Sequence, residues 1–82
     1  MQQRLLITPL QTGQALLSRR KAMKLSQGAL AKRLGVSQPR ISELELHPDR
    51  ITLDRLLIMA AALNLELVLR EKDSSPATNS EW

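Results

Sequence analysis

Apolar positions in this chain fall into helical stripes up to about residue 63 and into strict alternation after it, and turn residues separate each stretch from the next. Thr8 followed by Pro9 reads as an N-cap with proline at the first helical position, where the missing N–H costs nothing. The helix they open is expected to run to Ala22 or Met23 and to bury Leu10, Leu16 and Leu17. Gly13 within it is either a tolerated weakness or a point of close packing. Ser26 caps a second helix whose Leu30, Ala31 and Leu34 share one face, and Gly35 ends it in a left-handed conformation. Ser37 caps a third almost at once. Pro39 lies in its first turn, Ile41 and Leu44 face inward, and His47 and Pro48 stop it.

After a loop through Asp49 and Arg50, Thr52 caps a fourth helix. Leu53, Leu56, Leu57, Ala60 and Ala61 form its expected core stripe, but Ile58, Met59 and Ala62 make the other side apolar too. Three short helices can cover only one side, so Ile58, Met59 and Ala62 are assigned to a homodimer interface. From Leu65 the period becomes two: Leu65, Leu67 and Leu69 alternate with Glu66, Val68 and Arg70, which predicts a half-buried strand. Its pairing edge is either the segment Arg4 to Ile7 or the same strand of a second subunit, which puts Leu65, Leu67 and Leu69 in the dimer interface as well. Beyond Lys72 the chain is polar, rich in Ser, Thr, Asn and Pro, until it reaches Trp82. It reads as a flexible tail, residues 73–82, behind one domain of residues 1–72.

Composition narrows the chemistry. Eighty-two residues hold a single small core, so stability leans on a partner, and with no Cys there is neither a disulfide framework nor a thiolate metal site. No signal peptide and no apolar run of bilayer length is seen, which leads to the expectation of a cytoplasmic protein without membrane attachment. The one His, His47, has no second His, Cys or paired carboxylate at catalytic or ligand spacing, so neither enzyme activity nor a metal or cofactor is expected. The net charge of +4 is unevenly spread. Arg19, Arg20, Lys21, Lys24, Lys32, Arg33 and Arg40 lie in a stretch from Gln14 to Ser42 without one acidic residue, and the acids follow it. Such a pole suits nucleic acid, although a merely solvated basic face has the same signature.

Two short helices across a three-residue turn, Ser26 to Glu45, are what is needed to lay one helix over the DNA backbone and the next in the major groove. With Ile41, Leu44 and Glu45 nearest the core, Pro39, Ser42 and Glu43 lie farthest from it, flanked by Gln38 and Arg40. The segment SQGALAKRLGVSQPRISELE resembles the Cro-repressor-like, or Xre-type, helix-turn-helix family through Ser26, Gln27, Leu30, Ala31, Gly35, Val36, Ser37, Gln38, Ile41, Ser42 and Glu45. That resemblance covers roughly Pro9 to Leu65. It implies an all-α bundle of four or five helices, here with a C-terminal strand forming an intersubunit β-ribbon, that binds a palindromic operator in double-stranded DNA as a homodimer. It further implies that Gln27 touches phosphate and that Ser37, Gln38, Pro39 and Ser42 face bases.

The chemistry of these side chains refines the picture. The amide of Gln38 can pair bidentately with adenine, Arg40 suits guanine or phosphate, and Pro39 offers a thymine methyl only apolar contact or is simply a first-turn proline. Glu43 either accepts from cytosine N4 or is solvated or paired with Arg. The order of a short arm, helix-turn-helix domain, strand and polar tail ending in Trp also resembles the HipB-type antitoxins. The resemblance implies autorepression of an operon, nucleoid association through the operator, and the holding of a HipA-type serine/threonine kinase toxin. Trp82, the only aromatic side chain, would then anchor that partner. The alternative is a plain Xre-type regulator with no toxin partner.

Overall fold

The computed structural model describes residues 3–72; the tail reading of residues 73–82 and the anchor reading of Trp82 lie outside them. Four α-helices follow one another as α1 Pro9–Ala22, α2 Gln27–Leu34, α3 Gln38–Leu46 and α4 Leu53–Ala62, with one 3₁₀ turn at Pro48–Arg50. Each α-helix starts at an expected cap. The side chains of Thr8, Ser26, Ser37 and Thr52 accept from the backbone N–H of Gln11, Ala29, Arg40 and Arg55, which satisfies a donor the helix leaves unpaired. At Thr8 the cap is reciprocal, because the Gln11 side chain accepts from the Thr8 N–H in return.

Three of the helices also end alike. Lys24, Gly35 and Asn64 take positive φ values of 58°, 69° and 59°. The next residue in each case, Leu25, Val36 or Leu65, donates its N–H back to the carbonyl of Arg20, Ala31 or Ala60. This is the Schellman closure, and its usual apolar contact is present, since Leu25, Val36 and Leu65 all pack against the core. The turn that sets the angle between α2 and α3 is thus one of three copies of a single device. Gly35 is its plainest sign in the sequence, Asn64 a weaker one, and Lys24 gives none.

The core is Leu16 of α1, Leu30 and Ala31 of α2, Ile41 and Leu44 of α3, and Met59, Ala60 and Leu63 at the end of α4. α2 packs chiefly on α3 and also meets α4, while α1 crosses α3 and the 3₁₀ turn. Gly13 is a point of close packing: a Cβ placed there would lie 2.7 Å from side-chain carbons of Pro48.

Four expectations need correction. Leu10 of α1 faces solvent. Leu53, Leu57 and Ala61 of α4 do so too, which leaves Leu56, Met59, Ala60 and Leu63 as the inward stripe at the end of that helix. That stripe has the same i, i+3, i+4, i+7 spacing shifted along the helix, and a helix apolar nearly all round leaves the phase of its stripe open. Met59, assigned to a dimer interface, is 1% exposed inside the core of its own protomer, and Ala62 is half-buried against that core. Ile58 does remain outside. Among the described residues there is no strand: residues 65–70 are irregular, and Arg4 to Ile7 does not pair with them. Leu65 is half-buried while Leu67, Val68 and Leu69 are exposed.

Candidate nucleic-acid interface

α3 projects its first turn into solvent because its apolar side begins only at Ile41. Gln38, Pro39 and Arg40 are exposed, whereas Ile41 and Leu44 are sealed at 0% and 1% exposure. Ser42 and Glu43 are intermediate. Pro39 occupies a position where no intrahelical N–H is required, so it stiffens the first turn without weakening it. Ser37 has a structural task, since its Oγ accepts from the Arg40 N–H at 3.3 Å, although the residue itself is exposed.

The charged residues on this side are arranged rather than loose. Arg40 donates to Glu43 at 3.0 Å, and Arg50 reaches the other oxygen of Glu43 at 3.5 Å. Glu43 is therefore held between two cations, which offsets part of the repulsion an isolated carboxylate would present to phosphate. Both pairs are well exposed, so each adds little to stability.

Behind α3 lies a polar chain that composition alone does not reveal. Arg20 of α1 and Glu45 of α3 form a two-pronged ion pair at 2.7 and 3.1 Å, with their side chains only 10% and 9% exposed. The third arm of the guanidinium donates to the Leu25 carbonyl at 2.8 Å. Glu45 also accepts from Gln27 Nε2 at 2.8 Å, and Gln27 Oε1 accepts from Gln38 Nε2 at 2.6 Å. Gln27 is thus brought beside Gln38, but in this structure its amide is engaged within the protein at both ends. Among the described residues no buried side-chain nitrogen or oxygen lacks a partner. The signal for Arg20 was present in the sequence: it lies one helical turn beyond Leu16, on the buried stripe, where a charge requires an opposite charge.

The basic stretch divides by task. Arg20 is buried, Arg19 donates to the Leu63 carbonyl at 2.9 Å, and Arg33 reaches the Ala62 carbonyl at 3.4 Å. Two arginines therefore tie α1 and α2 to the carboxyl end of α4, where cations and donors suit the helix terminus. Lys21, Lys24 and Lys32 are exposed. The charge concentration is partly architectural and only partly available to an anion.

A short helix, a left-handed turn and a second helix whose exposed start carries an amide and a guanidinium define a helix-turn-helix DNA-reading protein. The chain belongs to the Xre-type helix-turn-helix family, whose helix-turn-helix profile matches residues 16–69. It is 41% identical over 64 residues to an uncharacterized HTH-type transcriptional regulator of Sinorhizobium fredii, an alignment spanning 78% of this chain and 33% of that protein. The chain thus spans about a third of the length of that relative. It is also 32% identical over 80 residues to antitoxin HipB of Escherichia coli, covering 92% of this chain and 91% of that protein. No solved structure matches. Among the described residues no helix is long and apolar enough to cross a membrane.

Proposed function

We propose that the protein is a dimeric, sequence-specific transcriptional repressor that serves as the antitoxin of a HipA-type serine/threonine kinase toxin and represses its own operon. The observation carrying the DNA-reading part is the division of α3, with Gln38, Pro39 and Arg40 exposed and Ile41 and Leu44 locked inside. In this reading Gln38 pairs with an adenine edge, Ser42 and Pro39 line the same groove, and Arg40 contacts guanine or phosphate. Ser37 faces the bases beside Gln38 and Gln27 approaches phosphate, each through what its internal bonds leave over.

The dimer is supported by what the protomer leaves uncovered. Leu53, Leu57 and Ile58 of α4 are 69%, 49% and 44% exposed, and Leu67, Val68 and Leu69 follow at 40%, 74% and 100%. Apolar surface of this kind on a small chain favours a second copy. Residues 65–70, unpaired within one protomer, gain ladder partners only across a two-fold axis, as an intersubunit β-ribbon. Two recognition helices related by that axis read a palindrome with half-sites about one helical turn, or a multiple of it, apart.

The antitoxin part rests on the similarity to antitoxin HipB, which extends over nearly the whole of both chains. Trp82 is assigned as the partner anchor on its chemistry, a large amphipathic ring at the end of a polar segment. The protein would act in the cytoplasm, on the nucleoid. The similarity to an HTH-type transcriptional regulator favours a second reading, a plain Xre-type regulator with no toxin. A gel-shift titration on the DNA upstream of the gene tests the shared part: a salt-sensitive, sequence-specific complex is expected, and its absence refutes DNA reading. Pull-down from native cells separates the two readings, since a co-purifying kinase supports the antitoxin and a clean preparation supports the plain regulator.

A further inference from the structure

Resting on the reading of α3 as the groove helix, we propose that Glu43 is a positioning residue that turns the Arg40 guanidinium to guanine and away from phosphate, so that each half-site carries a guanine opposite Arg40. The two residues lie one turn apart on the same helix, and Nη1 of Arg40 donates to Oε1 of Glu43 at 3.0 Å. The other carboxylate oxygen, Oε2, accepts from Arg50 at 3.5 Å. Arg50 belongs to the 3₁₀ turn, which packs on α1 where Gly13 admits Pro48, so the carboxylate is held from two elements and not from its own helix alone. A guanidinium carries five N–H donors in one rigid plane. With Nη1 given to Glu43, the edge made of Nε and Nη2 stays whole, and among the described residues nothing else takes it.

That free edge could serve either of two ligands. Guanine accepts two parallel N–H groups through O6 and N7, and phosphate accepts them through two of its oxygens. The ligands differ in charge. A phosphate seated on the Nε and Nη2 edge would stand one guanidinium away from the Glu43 carboxylate, two anions sharing one cation, and Arg50 at 3.5 Å offsets only part of their repulsion. Guanine is neutral and asks for donors in a plane, which pairing with Glu43 does not consume. The carboxylate therefore penalises the contact that carries no sequence information and spares the one that does. All three side chains are exposed, so the trio adds little to stability and its residues can be exchanged without unfolding the bundle.

The test selects binding sites from a randomised double-stranded DNA library with the full chain and with Arg40→Ala, Glu43→Met and the Arg40→Ala/Glu43→Met double variant, then follows affinity for the selected site against salt. Arg40→Ala identifies its base pair by flattening one preference for guanine, expected at about ten- to a hundred-fold in the unaltered protein, and leaves the salt slope as it was. Glu43→Met is expected to lose most of that same preference while keeping the ranking at the other pairs. It should also steepen the salt slope by about 1 per protomer as Arg40 moves to phosphate. The double variant should lose no more than Arg40→Ala alone. A carboxylate that merely repels DNA would, once removed, raise affinity for all sequences alike and keep the guanine preference, which overturns the proposal. Arg40→Ala that flattens no guanine and makes the slope shallower by about 1 overturns it too, since Arg40 then sits on phosphate. So does Glu43→Met that flattens a pair of its own in the Arg40→Ala background, since Glu43 then reads that base directly. If Glu43→Met loses its helical signal, Glu43→Ala decides by the same readouts. An unaltered protein that selects no sequence refutes DNA reading itself, a result recognisable before any variant is compared, and the proposal falls with it.

Discussion

At the scale of single residues, two positions carry more than their type suggests. A methyl group at Gly13 would meet Pro48 at 2.7 Å, closer than carbon atoms tolerate, so Gly13→Ala must push the 3₁₀ turn off α1. The helix propensity of Ala favours the substitution by about 1 kcal/mol, but overpacking costs about 1–3 kcal/mol, so a net loss is expected in the urea midpoint. Arg20→Ala strands the Glu45 carboxylate, 9% exposed, with Gln27 as its remaining donor. Removing one partner of a buried pair costs about 3–5 kcal/mol, a large part of what a chain of this size holds, and chemical denaturation should show it. The sequence made Ile41, Leu44 and Gln38 legible because a short helix with so few apolar residues has one possible inward side. It left the chain from Arg20 to Gln38 hidden, because those four residues come from three helices and meet only when α1 crosses α3.

At the scale of elements, every start was readable, and the ends of α1, α2 and α3 were placed while the device that closes α1 and α4 was not. Thr8, Ser26, Ser37 and Thr52 announce helices through a side-chain oxygen, a property of the residue itself. The closures depend on backbone conformation, and Lys24 adopts a positive φ with no composition cue to show it. Substitutions at two of the closures should act in opposite directions. Lys24→Gly relieves a left-handed side-chain residue and is expected to stabilise by about 1 kcal/mol, while Gly35→Ala imposes the same strain and should cost about as much. Nothing lies within 4 Å of the site of a Cβ at Gly35, so its cost is conformational alone. Paired thermal melts of the two variants would measure both signs. The phase of α4 was open for a related reason: Leu53, Leu57 and Ile58 are as apolar as the residues turned inward, and only packing against α2 selects between the stripes.

At the scale of the whole molecule, the α4 side leaves Leu53, Leu57 and Ile58 uncovered. If that face meets a second copy, Leu57→Glu and Ile58→Glu place carboxylates in the seam. Sedimentation should then report a monomer that keeps its helical signal, and affinity for a palindromic site should fall steeply because two linked half-sites become two separate ones. A dimer that survives both substitutions places the interface elsewhere. Leu67 and Val68 supply the corresponding probes on the segment that follows α4.

The arginines that brace the bundle also set how the protein should respond to salt. Of the seven cations between Gln14 and Ser42, Arg19, Arg20 and Arg33 are spent on carbonyls or a carboxylate of the same chain, and Arg40 shares Glu43. The three lysines that remain displace few condensed counterions when a half-site is bound. The logarithm of affinity against the logarithm of salt concentration should therefore fall with a slope of about −3 per protomer, or about −4 where Arg40 is set on phosphate, rather than the roughly −6 that seven free cations would give. A protein built this way holds its grip on DNA over a wide range of ionic strength, because much of its positive charge was turned to holding itself together.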